Sequence, residues 1–157
     1  EKATMILESI EANFLANGIS LPERRYLAVG ELGTTAHDKD QVTVGFSVMS
    51  EGLPFNNVSI MNACLSPDHA IFYVEIVRCT PKLISLAGGA KTLAPSAEDM
   101  NAYAVSRMRD AWLLKRVAEE LSSNIQFTFT KKVVYGISVP PESGGVQAVV
   151  LTLNTAV

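Results

Sequence analysis

At 157 residues with a formal net charge of -3, the chain is sized for one domain with a core of its own, and that core needs no covalent staple. Hydrophobic residues make up 48% and charged residues 18%, a low charged share for a globular domain, which fits either a surface partly covered by neighbours or a monomer with a generous core. Thirteen Lys and Arg scattered among sixteen Asp and Glu exclude a phosphate-gripping surface, and no apolar run approaches the roughly 20 residues that cross a bilayer, so a soluble protein without an export signal is expected.

Ala3, Ile6, Leu7, Ile10 and Phe14 recur at helical spacing and predict a first helix that stops at Asn17-Gly18, where glycine accepts the left-handed conformation. Tyr26 to Val29, after Leu21-Pro22, reads as a short buried strand closed by Gly30. From Gln41 to Met49, Val42, Val44, Phe46 and Val48 alternate with Thr43, Gly45 and Ser47, a strand with one core face. Ala70 to Cys79 is apolar on both sides, which marks a central strand. The spans of about 52–69 and 80–95 lack a sustained period and read as long loops.

Ser96 follows Pro95 as an N-cap, with Glu98 and Asp99 in the first turn of a helix of about 26 residues. Met100, Ala104, Met108, Ala111, Trp112, Leu114, Ala118 and Leu121 are expected to form its apolar face. A hairpin of Val133–Val139 and Ala148–Leu153 closes the chain, reversed at residues 140–145. The sum is a single α+β domain with a mainly antiparallel sheet of about five strands and the two helices packed on one face.

Catalytic and cofactor motifs are absent from this pattern. Ala87-Gly88-Gly89-Ala90-Lys91-Thr92 lacks the glycines that a phosphate loop places before its lysine, and there is no dinucleotide fingerprint or nucleophile elbow. His37-Asp38-Lys39-Asp40 offers too few convergent ligands for a closed metal site and is expected as a turn. Cys64 and Cys79 are expected as buried, reduced thiols, with a single disulfide as the alternative. No enzyme, cofactor or metal is therefore expected. The rival reading is a small-molecule enzyme or binding domain built on His37 and Asp38 with Cys64 or Cys79.

Glu75 and Arg78 interrupt the central strand on opposite faces, and each needs a partner if buried. The partners open to them are helix residues such as Arg107, Arg109 or Lys115, or charges across a subunit boundary. Glu119 and Glu120 lie near the C-terminal end of the long helix, where the dipole disfavours them unless solvent or a partner's cation offsets it. Glu75, Arg78, Arg107, Arg109, Glu119 and Glu120 are accordingly the candidate subunit-interface residues.

Three stretches resemble a family of head-tail joining proteins of long-tailed phages that infect actinobacteria. They are Leu21-Pro22-Glu23-Arg24-Arg25-Tyr26-Leu27-Ala28-Val29-Gly30, His37-Asp38-Lys39-Asp40-Gln41, and Val74-Glu75-Ile76-Val77-Arg78-Cys79-Thr80-Pro81. Lys39 stands where members tend to carry a cysteine, which argues for a structural turn there. The element order is also similar to the tail-terminator fold. What the resemblance implies is a virion structural protein: a homo-oligomer closed into a hexameric ring that caps the tail tube protein and meets the head-tail connector or stopper. DNA would pass through its lumen without specific binding, as the mild negative charge allows. A stopper or adaptor of the same neck is the nearest alternative.

Overall fold

The computed structural model describes residues 1–29, 40–51, 68–81, 84–85, 92–124, 127, 133–141 and 146–156. The His37–Asp38 pair, Cys64, the side chain of His69, the Gly88-Gly89 segment and most of the two expected loops lie outside the described residues. Helix α1 (Lys2–Ala16) precedes strands β1 (Arg24–Val29), β2 (Gln41–Glu51) and β3 (Asp68–Cys79). A short pair, β4 (Ile84–Ser85) and β5 (Thr92–Leu93), leads into helix α2 (Ala97–Ser123), and β6 (Val134–Ser138) and β7 (Val146–Ala156) close the chain. The span 80–95 was expected to be irregular. It holds the antiparallel pair β4–β5, whose two-residue strands are too short to carry a period.

The chain is an α+β fold with a five-stranded sheet in the order β1-β2-β3-β7-β6. β1 runs parallel to β2, and every other pair in that sheet is antiparallel. β3 is central, as its two-sided apolarity predicts. Its even-numbered residues Phe72, Val74 and Ile76 meet Ile6, Ile10 and Phe14 of α1 and Leu113, Leu114 and Val117 of α2 in one buried cluster. Val42 and Val44 of β2 and Val149, Leu151 and Leu153 of β7 point into the same cluster, so both helices cover one face of the sheet. On the opposite face Val77, Val146 and Ala148 form a smaller buried group. The alternation of β2 breaks after Phe46, where a bulge shifts the register so that Val48 rather than Ser47 pairs with Ile71.

Local chemistry sets the helix ends. Gly18 takes φ +63, the Gly18 N–H donates to Leu15 O at 3.1 Å and the Ile19 N–H to Phe14 O at 3.0 Å, so the last carbonyls of α1 are satisfied. At the start of α2 the Ser96 hydroxyl accepts from the Asp99 N–H at 3.0 Å, and the Asp99 carboxylate accepts in return from the Ser96 N–H at 3.3 Å.

The apolar face of α2 departs from expectation. Its buried residues are Arg107, Asp110, Leu113, Leu114, Val117, Ala118 and Leu121, whereas Met100, Val105, Met108 and Trp112 are exposed. Residues 107, 110, 114, 117 and 121 follow one another at alternating steps of three and four, a single inward row whose first two members are charged. Met108 and Trp112, expected on the apolar face, lie about half a turn away from that row and are exposed.

Candidate functional site

The charged head of the inward row meets the end of β3. Arg78 has the parity of Val74 and Ile76 and so projects toward α2, where its guanidinium forks onto one carboxylate: Nε donates to Asp110 Oδ2 at 2.9 Å and Nη2 to Asp110 Oδ1 at 2.8 Å. Nη1 donates to Asp40 Oδ2 at 2.8 Å, and the other oxygen of Asp40 accepts from the Cys79 N–H at 3.3 Å. Arg107, one turn before Asp110, also donates to the Asp110 carboxylate. Its Nη1 points at the main-chain oxygens of Gln147 (3.3 Å) and Ile76 (3.5 Å). Tyr103 continues the row by donating to the Gln147 side chain at 3.3 Å.

Two guanidiniums thus face two carboxylates, and the group is electrically balanced. Hydrogen bonding to Asp110 holds the Arg78 guanidinium above its ordinary range despite the opposing effect of burial. Burial pushes Arg107 the other way, with the Asp110 charge only partly offsetting it. Both oxygens of Asp110 and both of Asp40 accept hydrogen bonds within this group. The cluster is a clamp that ties α2 to the ends of β2, β3 and β7.

Beside the clamp lies a cavity of about 440 Å³ lined by Ser20, Leu21, Pro22, Glu23, Asp40, Arg78 and Cys79. Cys79 is half-buried at its wall rather than fully buried. Among the described residues no three His, Cys, Asp or Glu side chains converge as metal ligands, and no helix is long and apolar enough to cross a membrane.

Glu75 lies on the opposite face of the sheet, with Thr43 and Val150 as its register partners. It makes no ion pair among the described residues, and the expected partners Arg107, Arg109 and Lys115 stand on a helix across the sheet from it. Gln41, Thr43 and Glu75 are all buried there, and Gln41 Nε2, Thr43 Oγ1 and Glu75 Oε2 have no hydrogen-bond partner. Gln41 Oε1 accepts from the Tyr26 hydroxyl at 2.8 Å. Burial raises the Glu75 carboxyl above the usual carboxylate range, which favours its neutral form.

The remaining candidate charges lie on α2. Glu120 turns to α1, accepting from Ser9 Oγ at 3.0 Å and Asn13 Nδ2 at 2.8 Å, so α1 supplies the compensation that its place near the helix C-terminus requires. Glu119 pairs with Lys115 one turn earlier at 3.4 Å. Arg109 is exposed and makes no ion pair among the described residues. Of the six candidate residues, Arg78, Arg107 and Glu120 are therefore engaged within the subunit, Glu75 is buried on the far face, and Arg109 and Glu119 remain at the surface.

Sequence reasoning missed the surface they flank. Val105, Met108 and Trp112 project outward from α2 with 53%, 72% and 45% of their surface exposed, and the Arg116 guanidinium lies 5.3 Å from the centre of the Trp112 ring. The available signal was the inward row itself: extending Leu121, Val117 and Leu114 backwards lands on Asp110 and Arg107, which leaves the neighbouring apolar residues facing out. No family model matches the chain, and no curated protein matches it in sequence.

Proposed function

We propose that this chain is a virion structural protein, a tail terminator that closes into a homo-hexameric ring on the phage tail tube and joins it to the head-tail connector. The observation that carries this reading is the inversion of α2. Its first half turns charges inward, where they pair in a clamp, and turns Val105, Met108 and Trp112 outward. A chain that uses its charge to fix its own shape and leaves apolar side chains in water is suited to assembly rather than to turnover.

The resemblance of residues 21–30, 37–41 and 74–81 to head-tail joining proteins supports the location, the head-tail joint of a virion assembled in the host cytoplasm. The first of these stretches contains edge strand β1 and the last contains Arg78 of the clamp. The partners in this reading are further copies of the chain, the tail tube protein and a connector or stopper. DNA slides through the lumen unheld, consistent with a net charge of -3. Light scattering and negative-stain imaging of the purified protein test the ring, and labelling in virions tests the tier. A strict monomer absent from the particle overturns the proposal, and a label between portal and terminator reassigns the chain as a stopper.

A further inference from the structure

Resting on that ring reading, we infer that the contact between adjacent copies is formed by the outward stripe of α2 on one copy and the α1–β1 flank of the next. The stripe leaves Val105, Met108 and Trp112 largely exposed on one face of the helix, apolar side chains that a neighbour's cover would take out of water. It suits the apolar centre of a standard interface burying ~800 Å² per side. Of the charges beside it, Arg109 and Arg116 make no ion pair among the described residues, and Lys115 and Glu119 pair with each other.

The matching surface lies at the other side of the subunit. Leu27 and Val29 of β1 are 50% and 81% exposed on the helix-bearing face of the sheet, beyond the cover of α1. Arg25 Nη1 reaches Glu11 Oε1 at 2.9 Å, so β1 and the outer flank of α1 form one surface. On that flank Glu8 is exposed and makes no ion pair among the described residues, while Glu11 is held by Arg25.

A symmetric contact of stripe on stripe would set Arg109, Lys115 and Arg116 against their own copies. A head-to-tail contact sets them against the carboxylate of Glu8 and covers apolar surface on both sides. α1 packs over β2 and α2 over β7, so the two surfaces belong to opposite edges of the sheet. Such a contact is heterologous and continues until rotation closes the ring.

The test uses the full chain in sedimentation velocity, with circular dichroism to verify folding. Met108→Glu, on the stripe, and Val29→Glu, on the flank, are each expected to reduce the assembly to monomer, a weakening of about 100-fold or more in apparent affinity. Mixing the two variants is expected to give a one-to-one dimer that grows no further, because each copy keeps one intact surface. A mixture that stays monomeric overturns the head-to-tail pairing. Should either glutamate variant misfold, Arg109→Glu and Glu8→Arg serve in its place: each alone weakens assembly, and together in one chain they restore it. Assembly unchanged by the stripe variants overturns this interface while leaving the ring intact. A wild-type chain that is monomeric at every concentration overturns the ring reading itself.

Discussion

The two halves of α2 obey opposite rules. From Leu113 to Leu121 the helix buries aliphatic side chains against the sheet in the usual amphipathic manner. From Tyr103 to Asp110 the same inward row carries a phenol, a guanidinium and a carboxylate, while Val105, Met108 and Trp112 face water. The first arrangement holds a subunit together through area removed from water. The second holds it through paired charges and frees apolar area for a neighbour. Buried ion pairs add little net stability over well-packed hydrocarbon, but losing one partner is costly. The clamp therefore fixes the position and rotation of α2 more than it adds to the folding energy.

Breaking the charged half is expected to have the largest effect. Asp110→Ala leaves Arg78 and Arg107 facing one another without their shared carboxylate, a loss of about 3–5 kcal/mol measurable by urea unfolding. In the hydrocarbon half, Leu114→Ala opens a cavity beneath the helix and costs about 3 kcal/mol in the same assay. Ser96→Ala removes the cap ahead of both halves and costs about 1 kcal/mol.

Glu75, outside the helix, separates burial of a paired charge from burial of an unpaired one. Its carboxyl titrates at higher pH in the folded than in the unfolded state, so the folded protein binds the extra proton and is favoured as pH falls through that folded value. Glu75→Gln, which mimics the neutral form, is expected to raise the melting temperature at pH 7–8. The gain shrinks on acidification and is lost below the ordinary carboxylate value of 4.5. The smallest effect belongs to the outward face. Met108→Ser is expected to change the stability of the isolated subunit by no more than about 0.5 kcal/mol, against the far larger cost of Leu114→Ala on the inward row.

Elements whose signals are local were legible in the sequence. Gly18 after Asn17 ends α1, Ser96 with Asp99 begins α2, and the two-sided apolarity of Ala70 to Cys79 puts β3 at the centre of the sheet. The clamp was not legible, because Arg78 meets Asp110 and Asp40 across separations of 32 and 38 residues, and only the packing of α2 on the sheet decides which charges converge. The inversion of α2 was hidden for a different reason. Met100, Ala104, Met108 and Trp112 recur every four residues, as does Leu114 with Ala118, so apolar periodicity alone admits two rows and charge at 107 and 110 must choose between them. The bulge in β2 left no local mark, since Ser47 fits either register.

Trp112 is the chain's single tryptophan and belongs to the outward stripe, so its fluorescence reports directly on whether that stripe is covered. Emission and acrylamide quenching recorded over a concentration series, alongside light scattering, make the most direct measurement. The stripe as an assembly surface predicts that emission shifts to the blue and quenching falls in step with the rise in mass. Assembly that proceeds while Trp112 keeps a red, fully quenchable emission would contradict it.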